Sequence, residues 1–188
     1  MKVIFESIVG LSSIIILISG LSGSAQACDN FDQLMAQSTS LQSSFGDMSH
    51  PNCNRKPDES MITAVITCLE SSVASYEPRA KSQADLQLSG LYGAITQCYR
   101  SGSAQQGPGK KSFQALEAST VADPTFELAW VSFGDTVADM KHDSFFKKKG
   151  IEIGLGISID QEDKKAIQGL SALPQDEAVT AELAKLNR

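Results

Sequence analysis

The residue types that most often carry out catalysis are few in this chain and are poorly placed for it. The two histidines are His50, in a segment rich in glycine and proline, and His142, which stands beside Asp143. Neither has a spacing typical of a metal site or a catalytic triad, and the His142–Asp143 pair is interpreted as a solvated turn. The glycine-rich tracts at 102–109 and 150–156 lack the spacing of a phosphate-binding loop. The sequence therefore predicts a protein that is not an enzyme and that uses no metal and no cofactor.

The four cysteines are the residues whose number and placement do predict chemistry. All lie between Cys28 and Cys98, and none forms the C-x-x-C pair that is typical of zinc or redox sites. An even number of cysteines in an oxidising compartment favours two disulfides, with free buried thiols as the alternative.

Of the three possible pairings, one is favoured by the predicted helices. If segments 59–76 and 82–100 are antiparallel helices, Cys98 comes level with residue 60, which is near Cys53 and two turns from Cys68. We therefore expect the pairs Cys53–Cys98 and Cys28–Cys68, each adding about 2–4 kcal/mol of stability.

Met1 to Ala27 is predicted to be a targeting segment rather than part of the fold. Lys2 supplies a positive start, residues 8–21 are mostly apolar, and Ala25-Gln26-Ala27 is a cleavage signal. Cys28 would then begin the mature chain. A lipid anchor at Cys28 is disfavoured because Ala25 and Gln26 fit a lipoprotein signal poorly. The protein is expected to be exported, periplasmic or secreted, with no transmembrane segment after cleavage.

Residues 28–188 are predicted to form one all-α domain. Their length is sufficient for a single core, and apolar residues recur at spacings of three and four in most segments. A net charge of −6 argues against a nucleic-acid partner. The expected parts are disulfide-linked helices over 28–81, paired helices over 82–172 and a capping helix over 173–188.

The stretch from Lys110 to Ala172 predicts the architecture. A helix ends near Thr120, Asp123-Pro124 is expected to cap the next helix, and that helix carries Ala129-Trp130 and Phe133-Gly134 on an apolar stripe. The pattern recurs 37 residues later, because Asp123 corresponds to Asp160 and Phe133 to Leu170. A period in the thirties with two helices per unit is typical of a stacked solenoid.

These motifs resemble the tetratricopeptide repeat. The resemblance covers roughly Ser82 to Ala172 and rests on Asp123-Pro124, Ala129-Trp130, Phe133 and Gly134; Val137 stands where that family has a tyrosine. It implies a short α-solenoid of antiparallel helix pairs in which Trp130 packs in the core. It also implies a concave groove for an extended peptide. By the family's register the groove residues would be Gln87, Ala94, Gln97, Val131, Asp135 and Ala138.

One segment within this stretch has two interpretations. From Ile151 to Ile159 apolar residues alternate strictly with polar residues and glycine, which is typical of a strand. No second convincing strand exists to pair with it, so we favour a helix packed on both sides. Gly150, Gly154 and Ser158 would then line up at a spacing of four and allow close backbone approach.

The only basic cluster is formed by lysines at two places in the chain. It is interpreted as a solvated helix start or, alternatively, as a patch for an acidic partner or an anionic lipid surface. Its residues are Lys110, Lys111, Lys147, Lys148 and Lys149.

Three functions remain open on this basis. The favoured one is a non-catalytic exported interaction module that binds a protein or peptide of unknown identity. The first alternative is a periplasmic small-ligand-binding partner of a transporter, and the second is a secreted hydrolase or inhibitor.

Overall fold

The structure is a computed structural model and describes residues 28, 30–46, 52–99 and 106–188. These residues form eight α-helices and no β-strand, which confirms the all-α prediction. The helices are α1 Phe31–Phe45, α2 Glu59–Ser72, α3 Pro78–Cys98, α4 Gln106–Ala122, α5 Glu127–His142, α6 Phe145–Leu155, α7 Ile159–Ser171 and α8 Glu177–Leu186. The predicted targeting segment 1–27 and His50 lie outside the described residues, and the division at 81 and 172 stays a prediction.

Helices α1, α2 and α3 enclose the first of two cores. Phe45, Ile62, Leu69 and Leu91 are fully buried there because each helix turns one apolar stripe toward the other two. Two disulfides fasten this part of the molecule, and they are the expected pairs Cys28–Cys68 and Cys53–Cys98. Their sequence intervals overlap, because Cys53 lies within the loop closed by Cys28–Cys68 and Cys68 lies within the loop closed by Cys53–Cys98.

Helix α5 is the centre of the second core. It packs most extensively against α7 and also against α8, with Phe133, Val137 and Leu170 fully buried. Trp130 is 8 % exposed and donates its Nε1–H to the Pro124 carbonyl at 2.9 Å. The prediction that Trp130 packs in the core is therefore confirmed.

A polar seam between α3 and α4 joins the two cores. Ser82 Oγ donates to the Ser119 carbonyl at 2.7 Å, and Ser112 Oγ donates to the Ser89 carbonyl at 2.8 Å. Because the partner numbers fall as the α3 numbers rise, the two helices run antiparallel. Asp85 is on the same face of α3, is 6 % exposed, and has one carboxylate oxygen without a hydrogen bond. Its burial raises the pKa of Asp85 to about 6.

The start of α5 differs from the sequence prediction. Asp123 does not cap this helix; its carboxylate accepts hydrogen bonds from the Thr125 N–H and hydroxyl within a turn. Phe126 occupies the N-cap position instead, and the helix begins at Glu127. The turn moves the helix start by three residues because a short side-chain bond to the backbone competes with helix nucleation.

Helix α6 confirms the helical interpretation of the alternating segment only for residues 151–155, because residues 156–158 connect it to α7, which begins at Ile159; the predicted packing also differs. The helix ends at Gly156, whose φ of 74° lies in the left-handed region that glycine adopts readily. No residue of α6 is buried, and a Cβ placed on Gly150 or Gly154 would meet nothing within 4 Å. Packing on both sides and close approach at these glycines are therefore wrong. The stacked solenoid stays a prediction, since α5 pairs chiefly with α7 rather than with the next helix in sequence.

Candidate functional site

An open groove lies between α3 and α5, with α4 as its floor. We name it the α3/α5 groove; its volume is about 680 Å³. The groove exists because α3 and α5 each pack on α4 but touch one another over few residues. Its floor is made by Ser89, Ser112 and Leu116.

The α3 wall is lined by small and amide side chains. Gln87, Gly90, Gly93 and Gln97 line it at spacings of three and four.

The Gln87 side chain is held in place from α1. Its Oε1 accepts hydrogen bonds from Ser38 Oγ and from Gln42 Nε2, both at 2.7 Å. A Cβ on Gly90 would lie 2.8 Å from Gln42 Oε1, so the Gln42 amide packs directly against the α3 backbone. The Gln87 side chain at this end of the groove is therefore tied to α1 by two hydrogen bonds.

The α5 wall is acidic. Asp135, Asp139 and Asp143 follow one another at intervals of four, so their carboxylates lie in one row along the helix. Ser132 continues the row toward the helix start. The opposite face of α5 is the one that buries Phe133 and Val137, which fixes the row toward the groove.

Lysines neutralise part of this row. Lys185 Nζ lies 2.6 Å from Asp135 Oδ1 and 2.8 Å from Glu182 Oε2, and these bonds raise the pKa of Lys185 above its usual range. Lys147 Nζ lies 2.7 Å from Asp143 Oδ1. Asp139 is exposed and has no ion-pair partner within the described ranges.

Glu182 adds negative potential behind the wall. Its side chain is 2 % exposed, and Oε1 has no hydrogen-bond partner in the described part of the chain. Burial raises the pKa of Glu182, and the charges of Asp135 and Asp139 raise it further, although Lys185 opposes them. The wall is therefore a place where an added cation would be stabilised.

The groove continues into an apolar pocket beneath α6. This pocket has a volume of about 310 Å³ and shares Ser89, Ser112, Leu116, Thr136 and Met140 with the groove. Its remaining walls include Phe113 of α4 and three residues of α6, namely Ile151, Gly154 and Leu155. The site thus combines a polar open channel with an apolar end.

The residues predicted for a concave face are only partly brought together. Gln87, Gln97 and Asp135 line the groove. Ala94 and Ala138 do not line it; they are buried, at 0 % and 3 % exposure, in the first and second cores. Val131 also lies off the groove and is partly buried against the second core.

The basic cluster is divided by the structure. Lys111 Nζ lies 3.0 Å from Glu70 Oε1 and donates to the Tyr92 hydroxyl, so it belongs to the α2–α3 side. Lys110 lines the apolar pocket near the end of α6. The other three residues, Lys147, Lys148 and Lys149, form the first half of α6.

Fold and site together define an all-α protein that is fastened by two disulfides and carries an open groove. The disulfides fit an oxidising environment, and none of the described helices combines the length and apolar composition needed to cross a membrane. No protein-family model matches the sequence, and no match was found among the curated proteins or the solved structures. The resemblance to the tetratricopeptide repeat accordingly stays a prediction.

Proposed function

We propose that this protein is an exported, non-catalytic binding module that holds an extended segment of a partner protein in the α3/α5 groove. The observation that carries the proposal is the continuity of an open 680 Å³ groove with a 310 Å³ apolar pocket. A cleft with apolar lining and a few fixed polar groups is the usual form of a binding site.

The dimensions suit a short peptide. From Leu128 to Asp143 the α5 wall rises through 15 residue-to-residue steps, which at 1.5 Å per step is roughly 22 Å. An extended chain rises about 3.3 Å per residue, so about seven residues would fill the groove. The aspartate row favours lysine or arginine in that segment, and the pocket beneath α6 has room for one apolar side chain.

Site-specific crosslinking in producing cells tests the proposal. A photoreactive amino acid at Ser132, on the acidic wall, is expected to crosslink a partner, whereas the same amino acid at Thr180, exposed on α8, is not. Equal crosslinking at both positions, or none at Ser132, would contradict binding in the groove.

A direct measurement uses synthetic probes. Fluorescent seven-residue peptides of alternating lysine and alanine are expected to bind the purified protein, and the glutamate–alanine counterparts are not. Ser132→Trp fills the groove and should abolish binding, while the matched Thr180→Trp should not. Binding that survives Ser132→Trp would place the peptide elsewhere.

A small-ligand carrier is the second candidate, and the apolar pocket beneath α6 favours it. Its volume of about 310 Å³ is at the lower end of the range for ligand pockets. Native mass spectrometry of the purified protein distinguishes the two candidates. A retained small molecule that Met140→Trp removes would support the carrier, and an empty protein that still binds peptides would oppose it.

A further inference from the structure

Helix α6 carries the most exposed apolar side chains among the described residues. Phe146 is 87 % exposed, Ile153 is 82 % exposed and Phe145 is 68 % exposed. With 100° per residue, the three positions fall within a sector of about 100° on one side of the helix. The two phenyl rings contact each other edge to face, with centroids 5.7 Å apart. An apolar face of this kind on a protein surface marks an interaction site rather than ordinary surface composition.

The helix is attached from the opposite side. Ile151 and Leu155 cover the apolar pocket above α4 and α5, so they account for the contacts that position α6. Gly150 lies on the flank of the outward sector, and a Cβ there would meet nothing within 4 Å. The outward face is therefore flat and accessible, which suits contact with an extended surface rather than insertion into a cavity.

Lysines in the first turns of α6 adjoin the apolar face. Lys147 and Lys149 pair with Asp143 and Glu152, but the lysine side chains are 66 % and 57 % exposed, whereas the two carboxylates are 24 % and 20 % exposed. The lysine side chains are therefore more accessible to a partner than the acids that they pair with. Lys148 adds a third cation to the same turn. The surface that an approaching partner meets is thus apolar and cationic, in a chain whose net charge is −6.

We propose that α6 docks the protein onto an anionic phospholipid surface. Phenyl and isoleucine side chains enter the boundary between headgroups and acyl chains, and the flanking lysines extend to the lipid phosphates. A contact between two copies of the chain through α6 is the alternative occupant, and the experiment below distinguishes it from a lipid surface. The acidic remainder of the molecule is repelled by the same surface, so only this face approaches it.

The docking is weak and reversible. An 11-residue helix that inserts two phenylalanines and one isoleucine gives shallow attachment, and each lysine near an anionic surface contributes about fivefold in affinity. Binding is expected to fall steeply between low and physiological salt because exposed charges are screened over about 8 Å at physiological ionic strength.

Vesicle flotation tests the proposal with the protein purified after export, both disulfides formed and its N-terminus determined by mass spectrometry. The expected result is binding to phosphatidylglycerol-containing vesicles and none to pure phosphatidylcholine vesicles. Phe145→Ser with Phe146→Ser should weaken binding at least tenfold, and Lys147→Gln with Lys149→Gln should do the same. All four side chains are exposed, so the circular-dichroism melting curves of both variants should match the wild type.

Matched variants remove exposed apolar surface or charge elsewhere. Met61→Ser with Val121→Ser takes two exposed apolar side chains from α2 and α4, and Lys164→Gln with Arg188→Gln takes two cations from outside α6. Both should bind vesicles as the wild type does. Equal binding to neutral vesicles, no binding at all, or binding that the α6 variants leave unchanged would overturn the proposal. So would concentration-dependent dimers in analytical ultracentrifugation that the phenylalanine variant abolishes, since α6 would then join two copies.

Discussion

The tightest contact in the second core predicts that a single methyl group on α7 destabilises the protein. A Cβ on Gly169 would lie 2.2–2.5 Å from three ring carbons of Trp130, far inside van der Waals contact. The ring has nowhere to go, because it packs on Phe133 at a centroid distance of 6.1 Å and donates to the Pro124 carbonyl. Gly169→Ala must therefore displace the indole by about 1 Å or separate α7 from α5.

The magnitude follows from three opposing contributions. Overpacking a filled core costs about 1–3 kcal/mol, and loss of the indole hydrogen bond costs about 1 kcal/mol. Alanine in place of a helical glycine returns up to about 1 kcal/mol. The net loss is about 2 kcal/mol of unfolding free energy, which lowers the melting temperature by about 4–8 °C for a chain of this size.

Denaturant unfolding followed by intrinsic fluorescence measures this effect directly, since Trp130 is the only tryptophan. The native emission should also shift as the indole moves. Gly150→Ala is the matched control: its Cβ meets nothing within 4 Å, so it should stabilise α6 by about 0.5–1 kcal/mol. If Gly169→Ala is as stable as the wild type with unchanged emission, the described packing of α7 on α5 is wrong.

Three further predictions concern charge and covalent links. The buried Asp85 carboxyl is favoured in its neutral form, so the wild type should lose up to about 3 kcal/mol of unfolding free energy as pH rises from below 3.8 to above 6 and the group ionises through its pKa of about 6. Asp85→Asn has no such group and should therefore become more stable relative to the wild type over this range. Urea unfolding of both proteins across the range measures the difference. Cys53→Ser with Cys98→Ser, which opens a link across 45 residues, should lower the unfolding free energy by about 3–4 kcal/mol in the same assay. Lys185→Met should lower the unfolding free energy by about 2 kcal/mol at pH 7, because it leaves the buried Glu182 without its cation. Adding Glu182→Gln to this variant should recover most of the loss. A melting temperature that Lys185→Met leaves unchanged would contradict the described pair.

The disulfide pairing could be predicted from the sequence because the lengths of two antiparallel helices determine which cysteines lie at the same level. Once 59–76 and 82–100 are taken as antiparallel helices, the level of Cys98 is fixed to within a turn. An error of a few residues at a helix end, such as the start of α3 at Pro78, does not change which cysteine is nearest.

The groove could be predicted only in outline. A helical pattern shows which residues share a face, but not which neighbour covers that face. Ala94 and Ala138 stand on faces that other helices bury, and this orientation depends on long-range packing. The row Asp135, Asp139 and Asp143 did carry a signal, since three acids at intervals of four opposite an apolar stripe indicate one exposed charged face.

The packing of α6 could not be inferred from its composition. Apolar residues on all sides favoured burial, yet the helix is short and its two interior glycines, Gly150 and Gly154, supply no side chain to fill a contact. Burial requires a neighbour of matching shape, and α5 instead packs chiefly on α7 and also on α8. Hydrophobicity alone does not specify that choice.

The overlapping intervals of the two disulfides have a consequence for proteolysis. Every peptide bond from Cys28 to Cys98 is enclosed by at least one bridge, so a protease that nicks the chain anywhere in this region leaves one covalent molecule. The nick becomes visible only after reduction. The chain beyond Cys98 contains no cysteine, so after a cut between Cys98 and α4 only noncovalent contacts, such as the serine-lined seam with α3 and the Lys111–Glu70 ion pair, hold α4–α8. One half of the molecule thus survives cleavage by covalent linkage, and the other half depends on noncovalent packing.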